Sequence, residues 1–345
     1  MPDILVVNPL ETTNWNDLLV QTAGHSFFHT AQWAEVLTAA YNYQPLYLCG
    51  NHNSGPADLL PLMEVKSMLT GKRGVCLPFT DFCEPLAANA ESFKALLDKV
   101  LELGRGRRWK YLEIRGGATY LERMPSSGVY WGHELDLRPG HDRLLSLMRD
   151  STRRNLKKAS AKGVEINVST SLDAMKKFCR LNVLTRRDHG LPPQPDRFFR
   201  ILQDKVIEQN MGFIATASIG KQVIAANVYL HFGNEVIYKY GASDKRHLQL
   251  RANNLVMWEA IKHCCDKGFE KLQFGRTETD HKGLMQFKDG WGAKPYKIQY
   301  YRYDFSKNSF RGSDKVIPGK LQNIISKLPV PILKTAGRIL YRHVG

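Results

Sequence analysis

The chain has 345 residues, 43% of them apolar and 24% charged, the proportions of a soluble globular protein with room for two cores. No apolar run reaches the roughly eighteen residues a bilayer-spanning helix needs, and the start, MPDILVVNPLETTNW, lacks the basic region and apolar core of a signal peptide. The expected location is therefore cytoplasmic. Lys and Arg number 49 against 33 acids, a formal net charge of +16 that points to a polyanionic partner (nucleic acid, anionic lipid or a phosphate-bearing substrate), with solubility alone as the alternative.

The predicted elements form two loose copies of one unit. In the first half, Pro45–Cys49 and Asp58–Lys66 read as a hairpin around Asn51–Gly55, and Gly74–Pro78 as a third strand. A loop over Phe79–Pro85, a helix near Glu91–Leu103 and a strand Tyr111–Arg115 follow. In the second half, Gly212–Ile219 and Val223–Phe232 pair around Gly220-Lys221, Glu235–Tyr240 adds a strand, and Gly241–Arg251 is a loop. A helix Asn253–Cys265 and a strand Lys271–Phe274 complete the copy. Hairpins followed by a crossover helix, occurring twice, predict an α/β fold of two duplicated domains with mixed, largely antiparallel sheets. The expected boundaries are 1–138, 139–310 and a tail over 311–345.

Six cysteines (49, 76, 83, 179, 264 and 265) show no CxxC pair, and His189, His247, His263 and His281 follow no zinc spacing, so no metal is expected. Between the halves, the spacing predicts one helix from Pro139–Asp142 to Gly163. Its second part stacks Arg149, Arg153 and Lys157 at intervals of four beside Arg154, Lys158 and Lys162. Like charges in such rows repel unless a polyanion neutralises them, which suggests a phosphate-binding surface over the alternative of a plain solvated face.

The segment Gly268–Tyr301 reads as a strand, a Gly-Arg turn carrying Arg276, a polar loop, the cluster Phe287–Ala293 and a further strand, Lys297–Tyr303. Arg276 straight off a strand end, with Lys288 between an aromatic residue and Gly-Trp-Gly, suggests a site. The alternative is an aromatic hairpin in which Trp291 is core and Lys288 solvated. From Lys315 on, the tail carries six Lys/Arg and no acid, with Leu321, Ile324, Ile325 and Leu328, then Ile332, Leu333, Ala336, Ile339 and Leu340, at helical spacing. A basic amphipathic helix pair over 315–343 can lie on an anionic membrane or dock on the protein's own body.

No GxSxG, cysteine nucleophile signature or P-loop occurs, so covalent catalysis has no support and direct transfer between two bound substrates fits better. Several segments in order (SFFHTAQWAEVL, LPFTDFCEPLA, STRRNLKKASAKGVEI, LTRRDHGLPPQPDRFFRIL, YKYGASD with NNLVMWEAI, and FGRT…FKDGWGAKP) resemble the FemAB-like branch of the GNAT acyltransferase superfamily. The resemblance runs from about residue 26 to 303. It implies tandem GNAT-like domains, no permanently bound cofactor, and an N-acyltransferase moving an aminoacyl group from charged tRNA to an amine of a cell-envelope or exopolysaccharide precursor. That acceptor would be phosphate-bearing and lipid-linked, and the enzyme would work at the inner face of the membrane. An acyl-CoA donor, or a non-catalytic membrane- or nucleic-acid-binding protein on the same fold, are the alternatives.

Two departures qualify the resemblance. The loop RHLQLRANN (Arg246–Asn254) has no glycine to let backbone N–H groups approach a phosphate, which disfavours acetyl-CoA. Cys83-Glu84 stand where many relatives continue with glycines, which alters the charge of an acceptor pocket. By the same resemblance, Lys288 would stabilise the tetrahedral intermediate beside Trp291. Asp81 would take the amine proton, with an Asx-turn as its alternative role, and Tyr240 and Asp244 would border the donor loop. Arg153, Arg154, Lys157, Arg187 and His189 are the expected phosphate contacts.

Overall fold

The computed structural model describes residues 4–50, 58–312 and 325–344. In chain order it runs β1 (Ile4–Val7), α1 (Trp15–Val20), α2 (Ala31–Tyr41), β2 (Gln44–Pro45), β3 (Tyr47–Gly50), β4 (Asp58–Leu60), β5 (Met63–Ser67), β6 (Gly71–Val75), α3 (Ala90–Gly106), β7 (Tyr111–Arg115) and α4 (Ala118–Leu121). Then come β8 (Gly128–Asp136), α5 (His141–Leu147), α6 (Asp150–Ala161), β9 (Glu165–Ser169), α7 (Leu172–Asp188), α8 (Asp196–Leu202), β10 (Gly212–Ile219), β11 (Gln222–Phe232), β12 (Glu235–Ser243), α9 (Ala252–Asp266) and β13 (Lys271–Gln273). The chain closes with β14 (Thr277–Glu278), α10 (Lys282–Asp289), β15 (Lys294–Asp304), β16 (Ser309–Arg311) and α11 (Val330–Val344).

Two compact units result, one of residues 1–130, 297–315 and 340–345, the other of 131–296 and 316–339. Linear boundaries at 138 and 310 do not describe them. β8 begins in the first unit and ends in the second, and β15 does the reverse.

The first unit orders its main strands β2-β5-β6-β7-β15, and β6 and β7 are parallel with Gly74 opposite Leu112. Helix α3 makes that crossover. Asn89 accepts hydrogen bonds from the Glu91 and Ser92 amides at its start, and Phe93, Leu96, Val100 and Gly104 form its buried face. Gly104 is required by packing, since a Cβ there would lie 2.2 Å from Phe305. The loop after β6 is held in an uncommon backbone conformation, with φ +49° at Leu77 and +63° at Phe79. Arg115 donates to the Leu77 and Thr80 carbonyls and Tyr300 to that of Asp81 (2.6 Å). Burial alone would push Glu113 upward, but Arg115 and Arg302 hold its pKa at about 2.

The second unit orders its strands β9-β10-β11-β12-β13-β8, all antiparallel except β12–β13. The same sequence of hairpin, crossover helix and parallel strand thus builds both units, as the repeated pattern predicts. Helix α9 buries residues on every side (Leu255, Val256, Met257, Ile261 and Cys264 among them), because it packs on β10 and β11 and also meets α6.

Two predicted elements differ. The expected single helix over 139–163 is broken into α5 and α6 at Met148, which is extended (ψ 151°) and buried, while the Arg149 amide donates to the Gly290 carbonyl (3.1 Å). The stretch expected to be a polar loop contains α10, whose first turn is closed by His281 accepting from the Leu284 amide (3.2 Å).

The tail residues Leu321 and Ile324 lie outside the described residues. In α11, Leu333 is buried and Lys334 pairs with Asp196 (2.9 Å) in the second unit. Tyr341 packs on Phe79 with ring centroids 5.6 Å apart in the first, where the buried Arg73 donates to the His343 carbonyl (2.7 Å). No described helix is long and apolar enough to cross a membrane.

Candidate active site

In the second unit the parallel pair β12–β13 is short. Pairing ends at Ile237 opposite Gln273, after which β12 continues to Ser243 while the chain leaves β13 through Gly275, at φ +64°. Beside the divergence β12 carries a bulge: Val228 pairs with Tyr240 but Tyr229 with Tyr238, leaving Lys239 as the extra residue. The result is a wedge at the carboxyl ends of two parallel strands, the place where open α/β sheets bind ligands. The first turn of α9 is tied to the end of β12 by Asn253, whose amide nitrogen donates to Ser243 Oγ (3.2 Å).

Lys288 sits at the turn that forms one side of this wedge. It lies on α10, is 1% exposed, and its Nζ donates to the Gly275 carbonyl at 2.8 Å and more weakly to that of Arg276 at 3.5 Å. The solvated alternative for Lys288 is therefore excluded. A buried ammonium is costly unless its hydrogen bonds are met, and here backbone carbonyls of the strand-end turn meet them.

Neighbouring groups complete the cluster. Asp289 Oδ1 meets His133 Nε2 at 3.1 Å, and its other oxygen lies 3.6 Å from Arg149. Burial and the Lys288 charge lower the His133 pKa against the opposing pull of Asp289, so this imidazole is neutral at neutral pH. Trp291 is fully buried with its ring 5.7 Å from Phe287. Three buried polar atoms here, His133 Nδ1, Thr277 Oγ1 and Trp291 Nε1, have no hydrogen-bond partner among the described residues. Such atoms are uncommon in folded proteins, and these three belong to residues on the segments next to Lys288.

The expected site residues are only partly gathered. Lys288 bonds the carbonyls of Gly275 and Arg276 at the wedge, and Trp291 is buried three residues further on, against Phe287. Arg153 and Lys157 line a groove of about 760 Å³ with Leu145, Leu156, Leu255 and Trp258. Arg153 is partly spent, bonding Asp150 and donating to the Ser146 carbonyl (3.1 Å), while Arg154 is exposed and outside that groove. Tyr240 sits among the rings of Phe178, Phe198 and Phe199, its hydroxyl accepting from Gln194 (3.2 Å). The Asp244 carboxylate is taken up by Arg246 (2.6 Å), whose hydrogen bonds lower its pKa to about 2, and by capping of the turn that follows. Arg187 and His189 lie at the carboxyl end of α7, where Asp188 binds Lys245 (2.7 Å). Asp81 belongs to the first unit.

His133 and Asp289 escaped the sequence reading. Asp289 adjoins Lys288 and was legible as a neighbour, but a histidine in the middle of a strand carries no local signal.

With this geometry in view, residues 146–289 match the sequence family described as an acetyltransferase (GNAT) domain. Over these residues the chain is similar to GNAT acetyltransferases. No curated protein matches the chain in sequence. The crystal structure of FemX shares the fold at 12% identity and a TM-score of 0.69, covering 94% of this chain and 100% of that one. A tandem GNAT protein from the clavulanic acid biosynthesis pathway follows at 10% identity and TM-score 0.56, covering 88% and 99%. So does the C-terminal domain of a protein assigned as a lysylphosphatidylglycerol synthetase from Agrobacterium fabrum, at 11% identity and 0.54, covering 85% and 90%. The chain thus matches a GNAT acetyltransferase domain over residues 146–289 and, along its length, shares the fold of FemX and of a tandem GNAT protein.

Proposed function

We propose that this protein moves an aminoacyl group from charged tRNA to an amine of a cell-envelope or exopolysaccharide precursor. The observation that carries the reading is the Lys288 ammonium, buried at the strand-end turn beside the β12–β13 wedge. An aminoacyl ester is already activated, so the site must orient an amine and stabilise the charge that develops on the carbonyl oxygen. The amine nitrogen attacks the ester carbon, the C–N bond forms, and the bond to the ribose oxygen breaks as that oxygen takes the amine proton. Lys288 supplies fixed positive charge for the tetrahedral oxyanion, at a place where low dielectric magnifies its effect.

Two further observations support the donor and the acceptor. The loop preceding α9, Arg246–Asn254, carries no glycine, so side chains stand where a pyrophosphate would need a close approach to bare backbone, which disfavours acetyl-CoA as the donor. The groove bordered by Arg153, Lys157 and Lys262 joins an apolar floor to charged edges that also include Asp142 and Glu259, and its exposed Lys157 suits a phosphate on an amphipathic acceptor. On α11, Ile332 and Ile339 are exposed on the helix that carries Arg338, which suits work at the cytoplasmic face of an anionic membrane.

The test supplies purified protein and bacterial membranes with two separately labelled donors, charged tRNA and acetyl-CoA. Label from tRNA entering an alkali-resistant amide supports the proposal. Label entering from acetyl-CoA alone overturns the donor while keeping the fold.

A further inference from the structure

Apart from the Lys288 cluster, a cleft of about 610 Å³ lies between α7 and the β10–β11 hairpin of the second unit. Leu181, Leu184, Ile219 and Val223 contribute its apolar lining. Four cations border it: Lys177 and Arg180 from α7, Lys221 from the hairpin tip and Arg246 from the turn after β12. One carboxylate, Asp244, faces them, and Arg246 already neutralises it at 2.6 Å. Lys177 pairs with Asp173 on its own helix (2.7 Å), whereas Arg180 and Lys221 are exposed and in no ion pair among the described residues.

We propose that this cleft binds the phosphodiester backbone of an RNA. Positive charge drawn from three separate elements, with Arg180 and Lys221 in no ion pair among the described residues, makes a local field that a polyanion neutralises. The kind of charge distinguishes the ligand. A pocket built for a free pyrophosphate presents converging backbone amides in a glycine-rich turn. Here the charge rides on long, exposed side chains, with Lys177 and Arg180 one helical turn apart, an arrangement that follows a chain of phosphates through salt-dependent contacts. The choice of RNA among phosphate polymers rests on the proposed tRNA donor. The cleft lies on a different set of residues from Lys288, so binding and transfer can fail separately.

The test measures the anisotropy of fluorescently labelled tRNA over a salt series with the full chain, its Arg180→Ala/Lys221→Ala variant and a Gln222→Lys variant. Removing two phosphate contacts is expected to weaken binding about tenfold or more at low salt and to lower the slope of log K against log salt by roughly 1.4–1.8. Gln222→Lys, which adds a cation to the same lining, is expected to tighten binding and steepen the slope. Lys288→Ala should bind tRNA as the parent does. If binding stands in this pattern while no aminoacyl transfer is found, the RNA cleft holds and the proposed reaction falls. Unchanged slopes in both cleft variants overturn the inference. So does a result in which inorganic pyrophosphate binds the parent and not the double variant while tRNA binding is the same in both.

Discussion

The chemistry of single residues here is set by burial. Lys288 owes its interest to being 1% exposed, and the sequence shows why: it faces inward on a short helix that ends in Gly-Trp-Gly, with Trp291 fully buried beside it. His29, in the first unit, is a second buried group with a definite consequence. Its Nδ1 accepts from the Ser26 amide (3.1 Å) and its Nε2 lies 2.9 Å from the Glu84 carbonyl, an arrangement that requires the neutral ring. Burial lowers its pKa from 6.5 to about 4, against the upward pull of those backbone partners. The unfolded chain therefore binds a proton that the folded chain refuses. Stability is full above about pH 6.5 and falls by about 1.4 kcal/mol per pH unit as the pH drops towards 4. Denaturant titrations at pH 7.5, 6 and 5 should show a shallower loss for His29→Gln than for the parent by about one proton, and identical slopes would refute the assignment. None of this was legible in the sequence, because the partners of His29 include a carbonyl 55 positions away.

At the scale of elements, tight approaches decide what can move. Gly337 brings α11 against the second unit so closely that a Cβ there would lie 2.0 Å from the Pro193 carbonyl oxygen. Gly337→Val should lift the helix, lower stability by about 1–3 kcal/mol and open Lys334 and Arg338 to trypsin. An unchanged melting temperature and digestion pattern would show that the helix does not dock there. The hairpins, α3, β7 and α9 were legible because alternation and helical periodicity are local properties, and turns such as Gly220-Lys221 punctuate them. The break between α5 and α6 was not, since it depends on Met148 burying and on the Arg149 amide reaching Gly290 far along the chain. Nor was α10, which is only eight residues long and includes Gly283. The wedge itself follows from where a parallel pair stops, and strand ends are where sequence reasoning is weakest.

For the molecule as a whole, duplication was legible and its boundaries were not. The order of elements repeats in the sequence, but the exchange of β8 and β15 between units is a product of pairing partners far apart in the chain. The tail is the same kind of case. Its amphipathic pattern is plain, yet which stripe docks depends on surfaces elsewhere: Leu333 and Tyr341 are buried, while Ile332 and Ile339 are 52% and 53% exposed. Ending the chain at residue 312 would leave the buried Arg73 without its His343 acceptor, together with the lost packing of Leu333. A loss of about 3 kcal/mol or more is expected, read as a lower melting temperature. A truncated protein as stable as the full chain would show that the tail is no part of the folded body.

The central claim is that Lys288 stabilises the transition state of acyl transfer, and single-turnover kinetics test it most directly. With charged tRNA and acceptor bound, Lys288→Ala should slow the transfer step by about 10²–10³-fold, with tRNA affinity unchanged and the fold intact by circular dichroism. A folded variant that transfers within about twofold of the parent rate would remove Lys288 from the chemistry and leave its burial as packing alone.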